Sequence, residues 1–110
     1  MISWSDFEKI EMRVGTILQA ETFAEARKPA YKLQIDFGEP KGVLCSSAQV
    51  TVHYSVEDLK GKQVIAVVNF PPKRIAGFES ECLVLGLYDE NNDVVLLQPE
   101  RNIPNGCRVG

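Results

Sequence analysis

The sequence predicts an all-β domain: a small closed barrel of five strands, with one short helix between the third and fourth. Three observations predict it. Tyr31, Leu33, Ile35 and Phe37 alternate with Lys32, Gln34 and Asp36, which is the period of a half-buried strand. Clusters of Gly, Pro, Asn and Asp punctuate the chain at short intervals and leave no room for a parallel βαβ rhythm. Helix signals are confined to two brief caps, Ser5-x-x-Glu8 and Ser55-x-x-Asp58.

The elements follow in order. The Ser5 cap predicts a turn or two of helix over residues 6–10, with Trp4 just ahead of it as a candidate staple. Residues 13–23 suit a long strand, and Gly15 marks a bend in a barrel wall. Pro29, which has no ladder donor, makes residues 25–29 a loop. The alternating strand 31–37 ends in a turn at Gly38-Glu39-Pro40-Lys41-Gly42, and the chain returns as a strand over 43–46. The Ser55 cap opens a short helix that stops near Gly61. Residues 63–70 form a β-rich run that Pro71-Pro72 ends, and a loop through Gly77 leads to a strand over 82–88. A turn at Asp89–Asp93, a strand at 94–98, a turn at Pro104-Asn105-Gly106 and an extended 107–109 complete the chain. This order fits the OB-fold, a five-stranded Greek-key barrel whose strand face and flanking loops take up ligands; an SH3-like barrel is the alternative.

The length, 110 residues, predicts a single domain over 1–110. The chain is 45% apolar and 25% charged, a globular balance, and its longest apolar run is Val64–Val68, far below a membrane span. No basic stretch followed by an apolar one opens the chain, so the expected location is cytoplasmic. Cys45, Cys82 and Cys107 are widely spaced and odd in number, which suggests reduced packing thiols and neither a disulfide framework nor a metal set. One histidine, His53, and no nucleophile–base pair argue for a binding module: not an enzyme, with no cofactor and no metal expected. The net charge is −3, yet segments 26–32 and 60–74 hold seven of the twelve cations and no acid. An acidic body of this kind binds a polyanion if folding brings the two segments together; otherwise they are solvated loops.

The stretch Asn69-Phe70-Pro71-Pro72-Lys73-Arg74-Ile75-Ala76-Gly77-Phe78-Glu79-Ser80 resembles the signature loop of the tRNA-binding domain family: Asn, an apolar residue, prolines, a basic pair, Gly, then Ser. Phe7–Ile17 resembles the family's opening strand, and Tyr54–Lys62 its small helix ending in Leu-x-Gly-Lys. Within the family, residues 26–33, Ser46-Ser47-Ala48-Gln49, 67–72 and 94–99 are similar to the CsaA branch of export-related chaperones. The chain departs from the synthetase-linked members at Tyr31, where they carry Asp. It departs again at Ala48-Gln49, where they carry Ser-Gly, and at Glu81-Cys82, where they carry Gly-Met. Glu81 is expected to repel phosphate.

The resemblance implies a stand-alone OB-fold protein that recognises tRNA by shape and phosphate placement and not by sequence. The expected RNA-binding residues are Lys32, Asn69, Lys73, Arg74 and Ser80, with Arg27 and Lys28 in the preceding loop. Arg supplies a fork and Lys a point charge to phosphate. The alternative is an ATP-independent chaperone that binds unfolded or export-bound polypeptide through Phe70, Ile75 and Phe78; packing inward is the commoner fate of Phe. The apolar termini, with Trp4, Phe7, Val95, Leu97 and Ile103, exceed what one small barrel covers and predict a homodimer interface, which stand-alone relatives also form through their end segments.

Overall fold

A computed structural model describes residues 1–110. Its elements are α1 (Trp4–Glu8), β1 (Met12–Thr22), β2 (Tyr31–Asp36), β3 (Val43–Ala48), α2 (Val56–Leu59), β4 (Gln63–Val67), β5 (Lys73–Ile75), β6 (Phe78–Ser80), β7 (Leu83–Val84), β8 (Gly86–Tyr88) and β9 (Val94–Leu96). Five strands form one antiparallel sheet in the order β3-β2-β1-β4-β7, curled into a nearly closed barrel with α2 between β3 and β4, as expected of an OB-fold.

The long β1 makes this closure possible. Met12–Thr16 pair with β4, while Thr16–Thr22 pair with β2, and the register shifts between Ile17 and Gln19. That bulge lets one strand serve two neighbours by turning between them. Gly15, the predicted bend, is a point of close approach. A Cβ there would lie 2.6 Å from Ile35 Cγ2 and 2.7 Å from the Phe37 ring, so only glycine lets β1 cross this close to the core.

The predicted alternation in β2 holds residue by residue: Tyr31, Leu33, Ile35 and Phe37 are buried. They meet Ile17, Val64 and Ala66, and Leu59 of α2 is fully buried among the same cluster. Burying a Leu in this way contributes about 2 kcal/mol. Ser55 caps α2, accepting from the Asp58 N–H at 3.1 Å while Asp58 accepts from the Ser55 N–H, also at 3.1 Å.

The first helix differs from the prediction. Its cap is Ser3, not Ser5, and Asp6 answers from the third helical position, so α1 spans 4–8 rather than 6–10. The two overlapping serine patterns compete, and Ser5 is left to share a hydroxyl contact with Ser3 at 2.9 Å. Trp4 therefore lies inside the helix and is 73% exposed. The C-terminal tail docks along the start of β1: the Gly106 N–H donates to Val14 O, Val14 N–H to Cys107 O and Val109 N–H to Met12 O, at 2.8–3.0 Å.

The predicted strand 63–70 ends at Val67, and the predicted loop through Gly77 contains a hairpin, β5–β6. Its two-residue tip, Ala76-Gly77, has φ of +46° and +80°, the left-handed pair that suits the strand twist. The predicted strand 82–88 is split at Leu85 into β7 and β8; β8 pairs with β9 as a separate ribbon.

Candidate nucleic-acid interface

The barrel seam explains how the hairpin is held. Strand β3 ends the sheet, and its outward amides meet side chains in place of a full ladder. The Cys45 N–H donates to Glu81 Oε1 at 2.8 Å, the Ser47 N–H to Ser80 Oγ at 3.0 Å, and the Glu81 N–H returns a bond to Cys45 O at 2.8 Å. Beneath them the buried Ser46 hydroxyl donates to Cys82 O at 3.0 Å. Both Ser80 and Glu81 are thus engaged with β3. Glu81, a residue where the synthetase-linked pattern has glycine, serves as a closing strut.

Directly opposed residues in a sheet share a face. The register pairs Lys73 with Ser80, and Ser47 with Lys32, while the Ser80–Ser47 bond joins the two pairs. Lys32 and Lys73, far apart in sequence, are thereby linked through Ser47 and Ser80 across the barrel seam. Lys32 Nζ lies 4.7 Å from the Phe23 ring centre and 5.4 Å from that of Phe78, and those rings meet edge-on at 5.4 Å. Phe23 is buried, Phe78 half-buried, so the aromatic pair is a pillar joining the hairpin to the barrel. Arg74 faces Glu79 in a pair 3.7 Å long, with both side chains mostly exposed. Such a pair is worth little and leaves the guanidinium available to a stronger anion. Arg27 and Lys28 are exposed in the β1–β2 loop, where Arg27 borders an open cleft of about 410 Å³ with Phe23, Pro29, Tyr31 and Thr51.

Asn69 occupies the other root of the hairpin. Its Oδ1 accepts from the Glu11 N–H at 3.0 Å and its Nδ2 donates to Lys9 O at 2.8 Å. Beside it, Phe70 is 54% exposed and Leu83 49% exposed, and with Pro71, Lys73 and Glu81 they line a cleft of about 270 Å³. The three apolar residues predicted together thus part company: Phe70 faces solvent, whereas Ile75 and Phe78 are half-buried opposite each other in the hairpin.

Two of the departures at the barrel end fit each other in size. Tyr31 is buried and stands opposite Ala48, also buried; its hydroxyl donates to Tyr54 O at 2.8 Å, and the Tyr54 hydroxyl accepts from the Leu96 N–H at 3.0 Å. At the termini, the Trp4 and Phe7 rings pack at 5.7 Å, Val95 and Ile103 are each 39% exposed, and Leu97 is half-buried.

One cluster escapes sequence reasoning, because its members are 36 and 40 residues apart. His53 Nε2 lies 2.7 Å from Asp89 Oδ2, and a ligand atom of Asp93 completes a group within 4.8 Å. Asp89 is held below the usual carboxylate range by the Asp93 N–H, by His53 and by the Asn91 N–H. Its second oxygen serves the turn, which leaves at most a weak ligand set. Among the thiols, burial pushes Cys82 up to about 12 and, with help from Glu81, raises Cys45. No helix is long and apolar enough to cross a membrane.

Residues 12–108 match the family described as "Putative tRNA binding domain". The methionine–tRNA ligase of Methanothrix thermoacetophila is 36% identical over 109 residues, 99% of this chain and 16% of the ligase. The methionine–tRNA ligase 1 of Bacillus anthracis is 39% identical over 108 residues, 98% and 16%. The chain thus spans about one sixth of the length of these ligases. Among solved structures, the chaperone CsaA of Bacillus anthracis is 55% identical with a TM-score of 0.94, covering 100% of this chain and 99% of that one. The CsaA chaperone of Picrophilus torridus is 50% identical with a TM-score of 0.93 and full coverage of both chains.

Proposed function

Since the chain belongs to the tRNA-binding domain family, we propose that it is a binding module for folded tRNA, not an enzyme, and that it reads shape and phosphate spacing. The observation that carries the reading is the link from Lys32 through Ser47 and Ser80 to Lys73, which ties the two acid-free segments together at the barrel seam; in this reading they form one cationic face. Arg74, on the other face of the β5–β6 ribbon from Lys73, and Arg27 and Lys28 in the β1–β2 loop add cations around it. Phosphate contacts of this kind position a nucleic acid without selecting sequence. Ser80 and Asn69 support the face by holding the hairpin. In this reading the protein is cytoplasmic and homodimeric, pairing through Trp4, Phe7, Val95, Leu97 and Ile103, and two faces on one particle add avidity. The test is a polarisation titration with bulk tRNA at about 50 mM salt. Lys73→Ala with Arg74→Ala lowers affinity about tenfold or more for all tRNA species alike. Unchanged binding contradicts the reading.

A second reading is favoured by the likeness to two CsaA chaperones and by the exposed Phe70 and Leu83 beside one cleft. Here the cleft takes an apolar side chain of an extended polypeptide. Stoichiometric suppression of aggregation without ATP supports it, and loss of suppression in Phe70→Ala places the contact; no suppression at all removes this reading.

A further inference from the structure

At Asn69 a side chain takes over from the backbone. The β1–β4 ladder runs from Thr16↔Gln63 to Met12↔Val67, and the Val68 N–H extends it by one bond to Glu11 O at 2.9 Å. One more step by main chain is closed off. The chain must turn outward into Phe70-Pro71-Pro72, and both prolines lack an N–H. The Asn69 carboxamide, which carries one carbonyl and one NH₂ as a peptide unit carries C=O and N–H, fills the vacated place. It accepts from the Glu11 N–H and donates to Lys9 O. The bonds reach 58 and 60 residues back along the chain, to the segment that joins α1 to β1. Asp would supply only acceptors there, and Ser is too short to bridge both groups.

We propose that Asn69 is a positioning residue: it locks the root of the β5–β6 hairpin to the N-terminal segment and so sets where Lys73 and Arg74 meet a bound polyanion, without touching that ligand itself. The proposal rests on the tRNA reading above and deepens it. The opposite root is already fixed by Ser80 and Glu81 on β3, and Phe78 is fixed on Phe23. Lys73, four residues beyond Asn69, lies on the limb that has neither support. Without the Asn69 clamp that limb keeps only its hairpin ladder to β6. The N-terminal segment thereby becomes part of the support of the binding face.

The experiment compares Asn69→Ala, the Lys73→Ala/Arg74→Ala pair and the triple variant, each titrated with bulk tRNA across a salt series. A neutral amide that touched RNA directly would lower affinity and leave the salt slope unchanged, because it releases no counterion. A positioning residue acts through the hairpin cations. Asn69→Ala is therefore expected to lower affinity about tenfold and reduce the slope by about 1.5, the share of two phosphate contacts. The triple variant is expected to bind no more weakly than the Lys73/Arg74 pair. An unchanged slope, a full additional loss in the triple variant, or no loss in Asn69→Ala overturns the proposal. Asn69→Asp, which keeps the Glu11 contact but sets a carboxylate oxygen against Lys9 O, is the second variant, expected to bind no better than Asn69→Ala; binding at the wild-type level overturns the proposal. Amide exchange in the RNA-free protein separates the two claims. If the wild type fails to bind tRNA, the functional reading falls, while exchange at residues 73–75 at least tenfold faster in Asn69→Ala still upholds the clamp, and unchanged exchange overturns it.

Discussion

Phe78 stands where the peptide-binding reading and the packing of the hairpin make opposite demands. Its ring meets Phe23 edge-on at 5.4 Å and supports the Lys32 ammonium at 5.4 Å, so Phe78→Ala removes two contacts and half-buried apolar area together. The aromatic pair contributes about 1 kcal/mol. The second ring under Lys32 adds about 0.5 kcal/mol, with Phe23 still in place at 4.7 Å. The half-buried side chain contributes about 1 kcal/mol more. Together they predict a loss of about 2.5 kcal/mol, read as a fall of about 10 °C in Tm or as an earlier urea midpoint with unchanged slope. Phe70→Ala is the control. That ring is 54% exposed and has no aromatic partner, so its removal changes stability by about 0.5 kcal/mol or less. Equal losses in the two variants, or a Phe78→Ala protein as stable as wild type, refute the assignment of Phe78 as the pillar of the hairpin.

Three further outcomes follow from the same packing. Gly15→Ala forces a Cβ to within 2.6 Å of Ile35 and 2.7 Å of Phe37, and urea unfolding is expected to show a loss of about 3 kcal/mol; a loss under about 1 kcal/mol contradicts the close crossing. Ser55→Ala removes the cap of α2, which carries the buried Leu59, and is expected to destabilise by about 1 kcal/mol in a thermal melt. Unfolded thiols ionise near 9.0, whereas folded Cys82 holds its proton to about 12. The unfolded state therefore releases its proton first, and stability is lost as pH rises across that window. Cys82→Ala is expected to flatten the loss, and iodoacetamide at pH 7 leaves native Cys82 unlabelled; an unaltered pH profile together with rapid labelling contradicts its burial.

What the sequence made legible follows the range of each interaction. Local period and local capping were readable: the alternation from Tyr31 to Phe37 marks the buried face of β2, and Ser55-x-x-Asp58 marks α2. The Ser3 cap of α1 is not legible, because two serines offer overlapping patterns and the choice depends on where the chain enters the helix. The hairpin at residues 73–80 reads in sequence as a loop, since its tip uses Ala76 at φ +46° where Asn or Gly would signal the turn. Site composition was legible as residue types, and their placement was not. Lys32 and Lys73 are linked only through the bond that the Ser47 N–H donates to Ser80 Oγ. The employment of Asn69 on residues 9 and 11, and of Glu81 on Cys45, comes from partners tens of residues away. Glu81 in particular reads in sequence as a charge beside the RNA face, and in the fold it closes the barrel.

The most direct measurement is the slope of log affinity against log salt for the wild-type protein and bulk tRNA, between about 50 and 300 mM. Five cations on or beside the proposed face, Arg27, Lys28, Lys32, Lys73 and Arg74, predict a slope of about −4. Wild type is expected to show that value, and the Lys73→Ala/Arg74→Ala variant a slope shallower by about 1.5. A flat dependence, or one that the double variant leaves unchanged, contradicts a cationic face built from the hairpin and β2.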